Sequence, residues 1–153
     1  LLTIWKLGDA PNVNTFGLGS NGRYRSNVWN YPGYASLGAG RDEALSFHPT
    51  VKPLPMIVDA ILDVTHQGEI VLDPFGGSGT TLIAAERTGR IARLIEIDPK
   101  YVDVTLRRFI AETGEEPTLA ETGEAFSEVR SRRQSETGNP VSEPGPDSMW
   151  AIL

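Results

Sequence analysis

The stretch "VLDPFGGSGTTLIAAERTGR", Val71–Arg90, decides the fold of this chain. A short apolar run ends at Asp73, three glycines follow within six residues, and an apolar, Ala-rich segment closes at Gly89. This order predicts a buried strand, a tight turn whose backbone is open to a ligand, and then a helix.

The segments on either side are equally regular. Apolar residues recur at helical spacing over Leu54–Val64, and "IARLIEI", 91–97, predicts a second strand. Asp98 followed by Pro99 predicts the start of a third helix, which Gly114 ends. The order helix, strand, helix, strand, helix predicts an α/β fold with parallel strands and a right-handed connection.

The outer parts of the chain are less regular. "LLTIWKLG" predicts a strand over Leu1–Lys6, and a short strand is expected over Asn27–Asn30, with long loops rich in Gly, Asn and Ser around it. "AFSEV", 125–129, predicts a last short strand, whereas the polar composition of 127–153 predicts a disordered tail. A first residue inside a predicted strand indicates a chain cut within a domain, unless an unusual start codon encodes this Leu.

Composition limits the class of protein. The chain has 153 residues, the size of one domain, and no apolar run long enough to span a bilayer. It has no cysteine, which excludes disulfides and thiolate metal sites and makes the cytoplasm the expected compartment. The net charge is −6, but residues 1–52 hold five basic and three acidic residues, whereas 112–153 hold three and nine. The net charge therefore does not exclude nucleic acid as a partner.

Two carboxylates indicate the ligand. The turn is not a phosphate-binding loop, because no Lys follows the last Gly, and it is not the dinucleotide fingerprint, because Leu82 stands where a third Gly is required. Asp73 suits a cationic ammonium or sulfonium group, and Glu96, 23 residues later, suits the two hydroxyls of a ribose. This pair fits S-adenosylmethionine. The alternative is an ordinary strand-to-helix turn in which Asp73 caps the helix.

"LDPFGGSGTT" and "IEIDPKY" resemble the cofactor-binding motifs of amino-group DNA methyltransferases, which modify N6 of adenine or N4 of cytosine. "HPTVKP", His48–Pro53, resembles the motif that precedes them in the permuted β order of that family. "GDAPNVNTFGLGSNGRYRSNVWNYPG" most resembles methylases joined to a ParB-type N-terminal domain. The resemblance implies a Rossmann-like methyltransferase fold that is incomplete, with only the C-terminal portion present.

The resemblance also implies a set of cofactor-binding residues. From the residues alone, Lys52 is a reasonable partner for the carboxylate of the cofactor, and Thr50 could instead cap the next helix. Taken alone, "HPTVKP" also fits a rigid turn into a helix. The implied cofactor-binding residues are His48, Thr50, Lys52, Asp73, Phe75, Gly76, Gly77, Ser78, Gly79, Thr80 and Glu96.

The catalytic motif of the family is not found. The family uses Asp, Asn or Ser followed by Pro-Pro and an aromatic residue, which bind the target amine and stack on the flipped base. No such tetrad occurs here, and "NYPGY", Asn30–Tyr34, has Tyr31 where the first Pro belongs. In the permuted order the motif would precede Leu1, so the resemblance implies no catalytic residue in this chain and no activity for the chain alone.

A basic, aromatic stretch is the candidate DNA contact. Arg23 and Arg25 could bind the backbone phosphates of double-stranded DNA, and Tyr24, Trp29 or Tyr31 could stack on a base. The alternative is that Trp29 belongs to the core and that the arginines are ordinary loop charges.

These observations predict a fragment of a site-specific DNA methyltransferase, of the kind found in restriction–modification, that modifies N6 of adenine. The alternatives are N4 of cytosine, a non-catalytic remnant or subunit that needs a companion chain, and a nicotinamide-binding domain, which the missing third Gly disfavours. The expected methyltransferase portion is 1–126, with a loop-rich part at 7–47 that is the candidate DNA contact, a cofactor part at 48–114 and the tail at 127–153.

Overall fold

The computed structural model describes residues 13–15, 17, 28–32 and 51–137. Four helices and two strands are formed in this part of the chain. They are α1 (Leu54–Val64), β1 (Ile70–Asp73), α2 (Thr80–Thr88), β2 (Ile91–Leu94), α3 (Pro99–Thr113) and α4 (Phe126–Thr137).

The two strands pair in parallel, with Ile70 opposite Ile91 and Asp73 opposite Leu94. Helix α2 connects them, and this βαβ unit is the one from which Rossmann-like folds are built. The predicted α/β class and the incomplete Rossmann-like arrangement are therefore confirmed for the described residues.

Capping residues set the helix ends as the sequence predicts. The Asp98 carboxylate accepts a hydrogen bond from the Lys100 amide at 2.9 Å, and Pro99 occupies the first turn of α3. Gly89 ends α2 and Gly114 ends α3, each with a left-handed φ, of 68° and 74° respectively.

The core lies on one face of the sheet. Helices α1 and α2 pack against each other there, and Ala84 and Ala85 are fully buried, so their small side chains let α2 approach the sheet closely. The buried apolar cluster consists of Ile61, Leu82, Ala84, Ala85, Ala92 and Leu94.

The opposite face of the sheet leaves apolar side chains exposed. Ile70 and Leu72 alternate along β1 and are 61% and 66% exposed, and their neighbour Ile91 on β2 is 43% exposed. Among the described residues, β1 pairs only with β2. We call the surface formed by Ile70, Leu72 and Ile91 the open sheet face.

Helix α3 packs against α2 and is tied to its C-terminal end by an ion pair. The Arg87 guanidinium binds the Glu112 carboxylate at two points, with Nε–Oε1 2.5 Å and Nη2–Oε2 2.8 Å. This hydrogen bond is the main reason why the pKa of Glu112 lies below its usual value.

Two short segments from the N-terminal part of the chain contact α1. The Thr15 amide donates to the Asp63 carbonyl oxygen at 3.1 Å, and the Tyr31 hydroxyl donates to the Asp59 carboxylate. The strand expected over Asn27–Asn30 is wrong for residues 28–30, which are irregular. Contacts between side chains hold this segment instead of a strand ladder, since Trp29 packs edge-on against Tyr31. The strand predicted at 1–6 lies outside the described residues.

Helix α4 corrects two predictions. It replaces the strand expected at 125–129, and it occupies residues 127–137, where a disordered tail was expected. Val129 is 4% exposed, and the Glu128 carboxylate accepts the Ala125 amide at 3.0 Å at the helix start. One buried side chain and local capping therefore order a polar segment. Residues 138–153 lie outside the described part.

None of the helices in the described ranges combines the length and the apolar character that crossing a bilayer requires.

Candidate functional site

The candidate site lies where β1 and β2 end. Asp73 is the last residue of β1, and Glu96 follows the last residue of β2, Leu94, by two positions. The Ile95 amide donates to the Asp73 carbonyl oxygen at 2.9 Å, and the Gly76 amide donates to the Ile95 carbonyl oxygen at 2.9 Å. Because the strands are parallel, both carboxylates lie at the same edge of the sheet, the usual ligand position in α/β folds.

Contacts with two neighbours fix the Asp73 side chain. Its Oδ1 accepts the Phe75 amide at 3.0 Å, and its Oδ2 accepts the Thr81 hydroxyl at 2.6 Å. Gly79, not Asp73, occupies the N-cap position of α2, where no side chain makes a capping bond. The geometry therefore does not favour the alternative in which Asp73 simply caps the helix.

Glu96 ties the glycine-rich loop, residues 74–79, to the second strand. Its Oε2 accepts the Gly77 amide at 2.6 Å, and its Oε1 accepts the Asp98 amide at 2.9 Å. Each carboxylate oxygen has a second lone pair, so Glu96 can accept further hydrogen bonds from a ligand while it holds the loop.

Glycine is required at positions 76, 77 and 79 of the loop for different physical reasons. A Cβ on Gly76 would lie 3.1 Å from Leu94 Cδ2, and one on Gly79 would lie 2.6 Å from Thr105 Cγ2. At Gly77 the nearest atom would be 3.8 Å away, but its φ of 54° is left-handed. Gly76 and Gly79 therefore allow close packing, whereas Gly77 turns the backbone beside open space.

Two residues of α3, Thr105 and Arg108, bind carbonyl oxygens of the glycine-rich loop. Neither was predicted as a site residue. The Thr105 hydroxyl donates to the Gly77 carbonyl oxygen at 3.0 Å, and the Arg108 guanidinium donates to the Ser78 carbonyl oxygen. Thr105 is 3% exposed and lies within the apolar stripe of α3, so a polar residue in a buried stripe was a readable signal. Arg108 had no such signal, and neither had Thr81.

The structure separates the predicted site residues into groups. Ser78 and Thr80 are buried, and their hydroxyls face Arg108 of α3, with Nη1 3.1 and 3.4 Å from the two oxygens. Lys52 is exposed just before α1. His48, Thr50, Arg23 and Arg25 lie outside the described residues. The residues that meet at the strand ends are Asp73, Phe75, Gly76, Gly77, Gly79 and Glu96.

Three apolar side chains close in sequence to the two carboxylates are exposed. Phe75 is 86% exposed, Ile97 is 96% exposed and Ile95 is 54% exposed, so all three leave apolar surface in water near the strand ends. This combination suits a ligand that has both a flat apolar group and hydroxyls. Within the described ranges, no three His, Cys, Asp or Glu side chains come together as a metal site would require.

A cavity in the described part lies elsewhere. It measures about 870 Å³ and is lined by residues of α2, β2, α3 and α4 and of the turn between α3 and α4, and neither Asp73 nor Glu96 contributes to it. We assign the site to the strand ends because the carboxylates, the open glycine and the exposed apolar surface converge there.

Comparison with known proteins finds a matching family. A family model for DNA methylases matches residues 8–107. The chain is 43% identical over 82 residues to the DNA adenine methyltransferase YhdJ of Escherichia coli K12, which covers 54% of this chain and 26% of the relative. It is 34% identical over 93 residues to the type II methyltransferase M2.DpnII of Streptococcus pneumoniae, covering 61% and 33%.

A solved structure is also similar. TTHA0409 of Thermus thermophilus, crystallised with S-adenosyl-L-methionine, shares 36% identity with this chain and covers 48% of it and 27% of its own length, with a TM-score of 0.40. An overlap this partial leaves the fold assignment to the chain's own strands and helices. The chain spans about a quarter to a third of the length of these relatives.

Proposed function

Because this chain belongs to the DNA methylase family, we propose that it forms the cofactor-binding portion of a DNA methyltransferase that uses S-adenosylmethionine. The observation that carries the proposal is that two carboxylates from neighbouring strand ends both bind amides of the turn after β1: Asp73 accepts the Phe75 amide at 3.0 Å, and Glu96 accepts the Gly77 amide at 2.6 Å. The family and the presence of S-adenosylmethionine in a similar solved structure support the choice of ligand.

The residues at the strand ends fit the parts of this cofactor. Glu96 would accept the ribose hydroxyls, since each of its oxygens keeps a lone pair. Phe75 and Ile97 would contact the adenine, because their apolar surfaces are exposed near the strand ends. Asp73 would contribute negative charge toward the cationic end, and Lys52 would pair with the cofactor carboxylate.

Ser78 and Thr80 would contact the cofactor with their main-chain atoms and not with their side chains. Their hydroxyls face Arg108, so their side chains are engaged on the α3 side of the loop. Gly77 leaves room at its Cα for a ligand to approach the main chain. His48 and Thr50 complete the proposed site on the resemblance of "HPTVKP" alone.

The bound cofactor supplies an electrophilic methyl group on a sulfonium centre. The described residues bind and orient that group, which lowers the barrier by positioning. We propose N6 of adenine in double-stranded DNA as the acceptor, which the DNA adenine methyltransferase among the relatives supports. N4 of cytosine is the alternative acceptor. Arg23 and Arg25 are the proposed phosphate contacts, and Trp29, 38% exposed, is the proposed aromatic contact to a base.

A second candidate function is a binding subunit without catalytic groups. The 153 residues contain no Pro-Pro dipeptide, so the family's acceptor-binding tetrad does not occur in this sequence. In this case the chain would hold the cofactor, and a companion chain would supply the tetrad. The open sheet face and the single pairing of β1 among the described residues are compatible with such a partner.

Calorimetric titration of the 153-residue chain tests the binding proposal. S-adenosylmethionine should bind, and NAD should not. Glu96→Ala should weaken binding by about tenfold or more, because two hydrogen bonds to the ribose and the anchor of Gly77 are lost. Glu86→Ala removes an exposed glutamate of α2 and is the matched control. Equal affinity of the Glu96 and Glu86 variants would contradict the site.

An assay of methyl transfer tests whether this chain needs a second chain that supplies the Pro-Pro-aromatic tetrad. Labelled S-adenosylmethionine and unmethylated DNA should give no product with this chain alone. Product that appears only after addition of a chain containing the Pro-Pro-aromatic tetrad would support the binding subunit. Turnover by this chain alone would show that the acceptor-binding residues lie within it.

A further inference from the structure

Helix α3 contacts the glycine-rich loop through two side chains that lie one turn apart. The Thr105 hydroxyl donates to the Gly77 carbonyl oxygen at 3.0 Å, and Thr105 is almost completely buried. Arg108 donates to the Ser78 carbonyl oxygen, and its Nη1 lies 3.1 Å from Ser78 Oγ. Two successive carbonyl groups of the loop therefore bind the same helix.

The geometry of the peptide bond means that these contacts also determine where the Ser78 and Gly79 amides point. The described peptide bonds are all trans, so each carbonyl points away from the amide of the next residue. A Gly77 carbonyl held against α3 directs the Ser78 amide away from α3. A Ser78 carbonyl held against α3 likewise directs the Gly79 amide away, and that amide donates to the Gly76 carbonyl oxygen at 2.9 Å. Helix α3 thus sets the orientation of two peptide planes.

We propose that Thr105 and Arg108 are positioning residues that hold the backbone of residues 77–79 in the orientation that S-adenosylmethionine requires. They act through the loop, whose Gly77 amide binds Glu96 and whose Ser78 amide is directed away from α3. This inference rests on the proposed function, in which the loop binds the cofactor.

The identity of the residue at 108 matters for this role. Arg108 Nη1 alone contacts three acceptors, the Ser78 carbonyl oxygen and the hydroxyls of Ser78 and Thr80. The planar guanidinium holds that nitrogen in a fixed geometry, whereas a lysine ammonium ends a flexible stem. The acceptors of Arg108 belong to Ser78 and Thr80, both buried, where a charge-assisted hydrogen bond is stronger than in water. The neighbouring Arg107 instead binds Asp103 on the helix surface at 3.2 Å.

Arg107 and Arg108 therefore provide a matched pair of variants. Arg108→Ala should weaken S-adenosylmethionine binding at least about tenfold, because a loop that α3 no longer holds adopts the binding orientation only part of the time. Arg107→Ala should change the affinity by less than about twofold, because its ion pair is exposed. Arg108→Lys should recover part of the affinity, and Thr105→Val should weaken binding without changing the volume of the side chain.

Amide hydrogen exchange in the ligand-free chain tests the positioning without the cofactor. In Arg108→Ala, exchange of the Gly79 amide should accelerate by about tenfold or more, whereas the Gly68 amide, bonded to the Gly89 carbonyl oxygen at 2.8 Å, should not change. An unchanged Gly79 amide would overturn the proposal, and so would equal acceleration at both amides, because that indicates general destabilisation.

The two measurements also separate the proposal from the proposed function. A selective exchange effect in Arg108→Ala, together with no binding of S-adenosylmethionine by the wild-type chain, would reject the cofactor and retain the support of the loop by α3. A wild-type chain that binds S-adenosylmethionine, with an affinity unchanged in both Arg108→Ala and Thr105→Val, would retain the cofactor and overturn the positioning role.

Discussion

Gly79 and Gly123 share a left-handed backbone, with φ of 77° and 75°, but differ in their surroundings. A Cβ on Gly79 would lie 2.6 Å from Thr105 Cγ2, whereas a Cβ on Gly123 would have no atom within 4 Å. Substitution by alanine strains the backbone at both positions, but it creates a steric clash only at Gly79.

We expect Gly79→Ala to lower the free energy of unfolding by about 3 kcal/mol or more, from backbone strain together with overpacking. Gly123→Ala should cost only about 1 kcal/mol, because it carries the strain alone. Urea denaturation of the two variants measures the difference. Equal losses would mean that Thr105 moves aside and that the contact does not restrict the loop.

Some site residues can be read from the sequence and others cannot. Asp73 and Glu96 were predictable as neighbours, because each follows a strand and parallel strands end at one edge of a sheet. Arg108 was not, since its contact with Ser78 joins residues 30 positions apart and depends on how α3 lies against the loop. The contact between the Thr81 hydroxyl and the Asp73 carboxylate could not be predicted from the sequence either.

Among the elements, α2 and α3 are joined by the ion pair between Arg87 and Glu112. Its side chains are 51% and 29% exposed, so its contribution to stability is small, about 0.5 kcal/mol. The guanidinium lowers the pKa of Glu112 in the folded chain. A carboxyl group whose pKa is lowered by folding stabilises the fold above its unfolded pKa, and this stabilisation is lost as the pH falls through the folded pKa.

We therefore expect Glu112→Gln to be less stable than the wild type by about 0.5 kcal/mol at pH 7. The difference should disappear as the pH falls below the unfolded glutamate value of about 4.3 and through the lowered value of the folded chain. Chemical denaturation at a series of pH values measures it, with Glu121→Gln, at an exposed turn position, as the control. A difference that persists in acid would assign the effect to packing.

A helix can be predicted from the sequence when the residues that determine its ends lie close to those ends along the chain. Helix α3 was predictable at both ends, because Asp98, Pro99 and Gly114 act within one turn of the boundary. Helix α4 was not, because its sequence has almost no apolar face. Its order depends on Val129, buried against the rest of the chain, and on Glu124 and Arg132, which bind each other at 2.9 Å.

At the scale of the whole molecule, the two faces of the sheet differ in how far their side chains are exposed. Ala92 and Leu94 are buried on one face, whereas Ile70 and Leu72 leave most of their surface in water on the other. Exposed apolar surface that is contiguous along a strand promotes association. The open sheet face therefore dominates how the isolated chain behaves in solution.

We expect the native 153-residue chain to bind a hydrophobic dye such as ANS and to self-associate at high concentration. The double substitution Ile70→Thr and Leu72→Thr should reduce both effects, because Thr keeps strand propensity and removes exposed apolar area. Thermal stability should change little, since these side chains bury little surface. Unchanged dye fluorescence together with a large loss of stability would show that the face is covered in solution.

Helix α3 supports α2 at both ends, through Thr105 and Arg108 at the loop that opens α2 and through Glu112 at Arg87 near its close. A shorter gene product that stopped at residue 98 would keep every residue from Asp73 to Glu96 and lose this scaffold. Such a product would still be recognised by its motifs in a genome survey, but without α3 to support the loop we expect it to bind a nucleoside poorly. Intact motifs would then overstate the binding capacity of the encoded chain.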